Sequence, residues 1–264
     1  MHALRLDDIV MHYREDGDPS GRPVLFSNSL GTDLRVWDRV IARMPAGLRL
    51  IRYDTRGHGM TGVSGPPYSM ERLADDAAAL LDHLKVTGAV VVGLSIGGMT
   101  AQCLAARRPE LVSAMVLMDT AARIGTPELW DERMRHGADG GVAALADAVM
   151  GRWFSREFRE TQGDEMALWR AALVRTPLMG YLGCAAAIRE ADLTESTRKL
   201  RLPTLAMAGT EDGSTPPELV AATAALIPGS RMEIIPHAGH LPCIERPDHV
   251  AGLIVSFLEE NGLV

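Results

Sequence analysis

Short apolar runs alternate with amphipathic stretches along most of the chain. The opening ALRLDDIVMHYRE alternates apolar and polar positions on either side of Asp7-Asp8, as the two arms of a β-hairpin do. PVLFSNS (23–29) has the continuous apolar character of a buried strand, RVWDRVIARM (35–44) has helical spacing, and LRLIRYDTRGHG (48–59) is a strand that runs into a glycine-rich loop. SMERLADDAAALLDHLKV (69–86) repeats its apolar residues with helical period and begins at Ser69, a residue type suited to capping. Strand AVVVGLS (89–95), helix IGGMTAQCLAARR (96–108) and strand AMVLMDT (114–120) come next. Towards the C-terminus the same alternation gives strand PTLAMAGTED (203–212), helix PELVAATAALI (217–227), strand RMEIIPHAGH (231–240) and helix PDHVAGLIVSFLEEN (247–261). Continuously apolar strands separated by helix-length segments predict an α/β fold, with a mainly parallel sheet covered by helices on both faces.

Between residues 121 and 196 the alternation stops. This segment carries Trp130, Trp153 and Trp169, three of the four tryptophans, and helical patterns such as ELWDERMRHG and GVAALADAVMGRWF with no strand between them. It reads as a helical lid inserted into a core made of residues 1–120 and 197–264. No internal repeat or low-complexity segment interrupts this plan.

Composition narrows the partners. A chain of 264 residues with 47% hydrophobic content can bury a large single core. Its net charge of −7 offers no electrostatic footprint for nucleic acid, and no basic block suggests a membrane surface. The N-terminus MHALRLDDIVMHYREDG lacks the basic start and apolar run of a signal peptide, so cytoplasmic residence is the expectation. Cys103, Cys184 and Cys243 are odd in number and have no metal-ligand spacing, which argues against a disulfide framework and gives Cys103 a packing role in its helix. A small-molecule ligand is left as the expected partner, and no feature specifies an oligomeric state.

The chemistry centres on Gly93-Leu94-Ser95-Ile96-Gly97, a G-x-S-x-G pattern between a predicted strand and a predicted helix, which is the setting of a nucleophile elbow. Glycines are expected at 93 and 97 because side chains there would collide with the neighbouring strand or helix. The helix starting at Ile96 directs free N–H groups and its positive dipole end at any negative charge forming near Ser95. A serine hydroxyl is a weak nucleophile at its free pKa, so a base and an acid that orients it are required downstream. Asp212, in the predicted strand end LAMAGTED, and His240, at the end of IIPHAGH, fill these roles in the chain order serine, acid, histidine. Asp119, at the end of the strand after Ser95, is the rival acid. His58 and His237 are read as loop residues, and Glu211 as pointing away from its neighbour Asp212.

These residues give the chain a resemblance to the α/β-hydrolase superfamily. GLSIGG, YDTRGHGMTG (53–62), AGTEDGSTP (208–216) and HAGHLPCIERPD (237–248) look like that superfamily in the expected order, over nearly the whole chain. One departure stands out: where most relatives carry His-Gly after the third strand, this chain reads SNSLGTDLRVWD (27–38), with Ser29 and Leu30 in those places. The oxyanion hole is expected from the backbone N–H groups of Leu30 and Ile96, which do not depend on side-chain identity.

SNSLGTDLRVWD, GLSIGGMTAQCLAARRPELV, DTAARIGTPELWDERM and GYLGCAAAIREADL (180–193) further resemble 3-oxoadipate enol-lactonases, the lid stretches being the discriminating part. That resemblance implies hydrolysis of a five-membered enol-lactone bearing an acetate side chain, without metal or organic cofactor. The glycines of 93–98 do not fit G-x-G-x-x-G, and the chain has no P-loop. A carboxylate on the substrate requires a local cation in a chain of net charge −7. Arg133, three residues after Trp130 on one helix face, is the first candidate, with Arg123 and Arg189 as alternatives, and Trp130 is expected to form an apolar wall over the ring. General carboxylesterase or carbon–carbon bond hydrolase chemistry uses the same machinery, and a non-enzymatic ligand receptor is a more distant alternative.

Overall fold

The computed structural model describes residues 1–264. Strands β1 (His2–Arg5) and β2 (Val10–Gly17) form the expected antiparallel hairpin, with Arg5 opposite Val10. Then follow β3 (Arg22–Ser27), α1 (Asp38–Ile41), β4 (Leu48–Tyr53), α2 (Met70–His83), β5 (Ala89–Leu94), α3 (Ile96–Arg107) and β6 (Val112–Met118). Five helices come next without a strand: α4 (Pro127–Trp153), α5 (Arg156–Thr161), α6 (Gly163–Val174), α7 (Leu178–Glu190) and α8 (Thr194–Thr197). The chain closes with β7 (Thr204–Gly209), α9 (Pro217–Ala224), β8 (Arg231–Ile235), α10 (Pro242–Glu245) and α11 (Pro247–Glu260).

The eight strands form one sheet in the order β1-β2-β4-β3-β5-β6-β7-β8. Only the β1/β2 and β2/β4 pairings are antiparallel; every pairing from β4 to β8 is parallel. Parallel strands must be reached by crossovers, and helices supply them on both faces, so central strands such as β5 and β7 are buried at every residue. Helix α2 begins where its cap residue predicts: the Ser69 hydroxyl accepts a hydrogen bond from the Arg72 amide. One cluster of buried apolar side chains runs from the sheet into α4 and α7, so the helices of 121–196 share the core of the sheet instead of forming their own.

Several boundaries differ from the periodicity. In place of a helix over 35–44 there is a 3-10 turn at Leu34–Trp37 and a single turn of α1. The cap explains the tight start: Asp33 accepts from the Arg35 amide, and Trp37 is driven completely inside. Helix α4 joins the two lid patterns into one rod that breaks at Gly141, whose φ of 72° and ψ of 178° no helix contains. No single helix is long and apolar enough to cross a membrane.

The loop after β4 holds the loop after β3. Asp54 is buried and accepts from the Leu34 amide at 2.8 Å, the Met60 amide at 2.9 Å and His12 Nδ1 at 2.7 Å. Its carboxylate thus fastens three separate segments. Beside it Arg56, also buried, pairs with Asp76 on α2 at 2.7 Å and with Asp8 in the hairpin turn at 3.0 Å. Removing the Asp54 carboxylate leaves the buried Leu34 amide, the part-buried Met60 amide and an imidazole without their acceptor. Asp54→Ala is therefore expected to lower stability by about 2–4 kcal/mol, read as a fall in the urea midpoint at unchanged m-value.

Candidate active site

Ser95 stands between β5 and α3 with backbone angles of φ 57° and ψ −118°, outside the regions that L-residues ordinarily occupy. Such a conformation persists only where surrounding bonds over-determine it. Here the Ser95 amide donates to Met118 O at 3.0 Å, and its carbonyl accepts from the Thr120 hydroxyl at 2.6 Å and from the Gly98 amide at 2.9 Å. Glycine is required on both sides because of close approach. A Cβ on Gly93 would lie 2.3 Å from the Gly97 carbonyl oxygen, and one on Gly97 would lie 2.3 Å from that of Ser27. The turn is consequently sharp enough to lift Ser95 off the end of the sheet.

His240 and Asp212 meet at this edge. Asp212 Oδ2 accepts from His240 Nδ1 at 2.8 Å and from the Thr215 hydroxyl at 2.6 Å, while Oδ1 accepts from the amides of Ser214 at 2.7 Å and Thr215 at 3.1 Å. Burial alone would raise the Asp212 pKa, but the His240 charge and hydrogen bond, together with the Thr215 and Ser214 donors, outweigh it and hold this acid below the usual carboxylate range. Neither residue lies on a strand. Asp212 comes three residues after β7 ends at Gly209, and His240 five after β8 ends at Ile235. Both sit on loops, where the chain can turn a side chain towards Ser95.

Ser95 and His240 line the same cavity, of about 380 Å³, inside the size range of small-ligand clefts. Leu30 lines it too, and its N–H makes no hydrogen bond within the protein. The Ile96 N–H, first in α3, has no intrahelical acceptor available to it. The Leu30 loop is fixed from below: Asn28 donates to Tyr53 O at 2.7 Å and accepts from Trp37 Nε1 at 2.9 Å. Leu30 thus brings an amide without a protein acceptor to the cavity, and the free first amide of α3 directly follows Ser95.

Helix α4 supplies most of the remaining lining. Trp130 is buried, with its indole N–H donating to Ile124 O at 2.7 Å, and its ring is exposed only to the cavity and its neighbours. Arg133 stacks over Trp130 at 5.0 Å and over Tyr181 at 5.6 Å, and its Nε donates to the Tyr181 hydroxyl at 2.8 Å. Arg152, from the far half of α4 beyond the Gly141 break, lines the cavity as well. Neither guanidinium has a carboxylate within 4 Å. Burial and the neighbouring Arg133 charge both lower the Arg152 pKa.

Arg152 escaped the sequence reading, although its helical neighbours carried a signal. The positions three and four residues away are Ala148, Val149, Ser155 and Arg156, so no acid can neutralise it along the helix. The alternatives to Arg133 are not at the site. Arg189 makes a two-pronged pair with Asp131 at 2.6 and 2.9 Å, and Arg123 approaches Asp192 at 3.6 Å. Glu211 accepts from the Arg156 amide and faces away, His237 is exposed, and His58 is buried outside the cavity with its Nδ1 3.2 Å from Arg56 O. Asp119 packs beneath Asp212 without a hydrogen bond to His240. Asp119, Asp212 and His240 bring one donor atom each within 4.8 Å, a spacing open to a metal ion, yet both Asp212 oxygens already accept two hydrogen bonds.

Three comparisons bear on this geometry. The sequence model of the alpha/beta hydrolase fold matches residues 22–247. A curated relative, 3-oxoadipate enol-lactonase 2 of Acinetobacter baylyi, is 32% identical over 245 residues, covering 93% of this chain and 91% of its own. The crystal structure of the enol-lactonase from Burkholderia xenovorans LB400 superposes with a TM-score of 0.94 at 37% identity, covering 98% of this chain and all of that one. A putative non-heme bromoperoxidase of Mycobacterium tuberculosis is also 31% identical, over 92% of this chain and 95% of its own. Chain-wide similarity thus extends to proteins named for different reactions.

The elbow makes a direct prediction. Gly97→Ala forces its methyl group against the Ser27 carbonyl, so stability should fall by about 1–3 kcal/mol and hydrolysis should fall with it. Thermal melting and initial rates on the same preparation measure both.

Proposed function

Since the chain belongs to the alpha/beta hydrolase fold family, we propose that it is a serine hydrolase that opens 3-oxoadipate enol-lactone to 3-oxoadipate. The observation that carries this reading is the lining of one cavity: Ser95 and His240 share it with two arginines that have no acid partners. Relatives named for this reaction support it.

In this reading Ser95 Oγ attacks the ring carbonyl of the lactone. His240, oriented by Asp212, takes the hydroxyl proton, and the Leu30 and Ile96 amides hold the oxyanion that forms, each donor being worth about 3–4 kcal/mol of barrier. No hydrogen bond joins Ser95 to His240 in the resting structure, a contact that commonly tightens only when substrate binds. Collapse of the tetrahedral intermediate breaks the ring C–O bond. The leaving oxygen departs as an enol, a stabilised group that takes its proton from His240 and tautomerises to the ketone. Water, activated by His240, then attacks the acyl-enzyme and releases the second carboxylate. No step calls for a metal or organic cofactor.

The acetate carboxylate of the lactone takes its place between Arg133 and Arg152, with Trp130 against the ring. Pre-stacking on Trp130 and Tyr181 removes rotamer freedom from Arg133 before substrate arrives, so less entropy is lost on binding. An anion between the two guanidiniums also relieves their mutual repulsion.

Two measurements test the reading. The ultraviolet absorbance of the enol-lactone should disappear with the wild type and persist with Ser95→Ala; no turnover by the wild type, alongside good hydrolysis of aryl esters, makes the protein a general carboxylesterase instead. Arg152→Ala and Arg133→Ala should each raise KM for the lactone by about 10–100-fold, the worth of a hydrogen bond to a charged group, while moving KM for a neutral aryl ester less than about threefold. Equal effects on both substrates would remove the carboxylate role.

A further inference from the structure

Two acids lie side by side beneath His240, and their surroundings are unequal. Asp212 receives four hydrogen bonds, from the amides of Ser214 and Thr215, the Thr215 hydroxyl and His240 Nδ1. Asp119, the residue after β6, is fully buried; its Oδ1 accepts from the Gly209 amide at 2.9 Å, and its Oδ2 has no partner at all. Its backbone is held in the left-handed region, φ 46°, by the donation of its amide to Met207 O at 2.8 Å. Oxygens of both acids and a ring nitrogen of His240 lie within 4.8 Å of one another.

Two buried carboxylates this close cannot both be ionised without a cation between them. The titratable groups facing Asp119 are Asp212 on the β7–α9 loop, His240 on the loop after β8, and Cys243 and Glu245 on α10; none is a lysine or arginine. A negative charge settles where the donors are, so it rests on Asp212. We propose that Asp119 carries a proton with its O–H turned towards Asp212, and that as a neutral acid it positions the single negative charge of the pair on the carboxylate bonded to His240. Burial and the Asp212 charge both raise the Asp119 pKa well above the usual carboxylate value, in the sense this arrangement requires.

Asp119 is thereby a positioning residue that acts through Asp212. This inference rests on reading His240 and Asp212 as base and acid, and its test has one arm that needs no substrate.

Thermal melting of wild type and Asp119→Asn is followed from pH 5 to pH 7. Unfolded, Asp119 ionises near about 3.9; folded, it keeps its proton to higher pH. Between the two values the native state binds the extra proton, so this group costs the wild type stability progressively as pH rises. Asn has no proton to lose. The Tm of Asp119→Asn relative to wild type is expected to climb by about 3 °C per pH unit; a difference that stays flat overturns the proposal.

The second arm is kinetic, with the enol-lactone as substrate. Asp119→Leu, which has neither charge nor O–H, is expected to lower kcat about tenfold with little change in KM, and Asp119→Asn to restore most of that loss. The acid limb of kcat/KM is expected at the same pH in Asp119→Asn and wild type. A midpoint lower by about one unit in Asp119→Asn means that a charge was removed and refutes the proposal, as does a loss in Asn equal to that in Leu. If the wild type does not turn over the lactone, the substrate assignment fails while the melting arm still decides the protonation of Asp119.

Discussion

The left-handed backbone of Ser95 is the constraint on which the rest of the structure turns. A serine at φ 57° is held there by β5 behind it, α3 in front and the close approach of Gly93 to Gly97 and of Gly97 to Ser27. Each of those contacts needs a neighbouring parallel strand in register: Ser27 lies opposite Gly93 on β3, and Met118, at the end of β6, receives the Ser95 amide. The turn is therefore supported jointly by β3, β5 and β6. Its cost, of order 1–3 kcal/mol, is spread over a wholly buried strand and a buried helix.

That dependence explains which parts of the molecule could be read from the amino-acid pattern. Continuous apolar runs and the glycine spacing of 93–97 are consequences of burial on both faces and of close approach, so the sheet, its flanking helices and the elbow were legible. The hairpin at Asp7-Asp8 was legible for the same reason, alternation reporting a one-sided sheet edge. Asp212 and His240 were identifiable by residue type and order, but they were assigned to strand ends and stand on loops, because apolar periodicity does not tell a strand from the first extended residues beyond it. The turn at 34–41 was misread as a longer helix: periodicity there records the burial of Val36, Trp37 and Val40, which a 3-10 turn followed by one α-turn satisfies equally well. Arg152 was legible only as an arginine with no acid three or four residues away. Whether an arginine is paired depends also on tertiary neighbours, and it is the fold that brings Arg152 close enough to Arg133 to feel its charge.

The lid and the His240 loop form one mechanical unit. Leu241 donates its amide to Trp153 O at 3.2 Å, and buried Glu245 accepts from the Gly239 amide at 2.8 Å and from both the amide and hydroxyl of Ser155. A Cβ on Gly239 would lie 2.6 Å from Trp153 O, so the two segments are in backbone contact. Arg152 immediately precedes this junction, and its Cα lies 3.4 Å from where a Cβ of Gly213 would stand, next to Asp212. The proposed carboxylate site and the His240–Asp212 pair are consequently fixed to the same few residues. A shift of the lid that moved Arg152 would move the loop bearing His240 with it.

The distribution of charge within the cavity follows from this arrangement. A chain of net charge −7 sets two arginines without acid partners in the lining of this cavity and, in the proposed protonation state of Asp119, one negative charge on the acid pair beneath His240. Each charge then has a distinct partner in the proposed chemistry: the guanidiniums face a carboxylate that is present throughout, while the Asp212 charge faces an imidazolium that exists only while a proton is in transit. The unspent amides of Leu30 and Ile96 face the oxyanion, which exists over the same interval. Interactions of the first kind lower KM and those of the second kind lower the barrier.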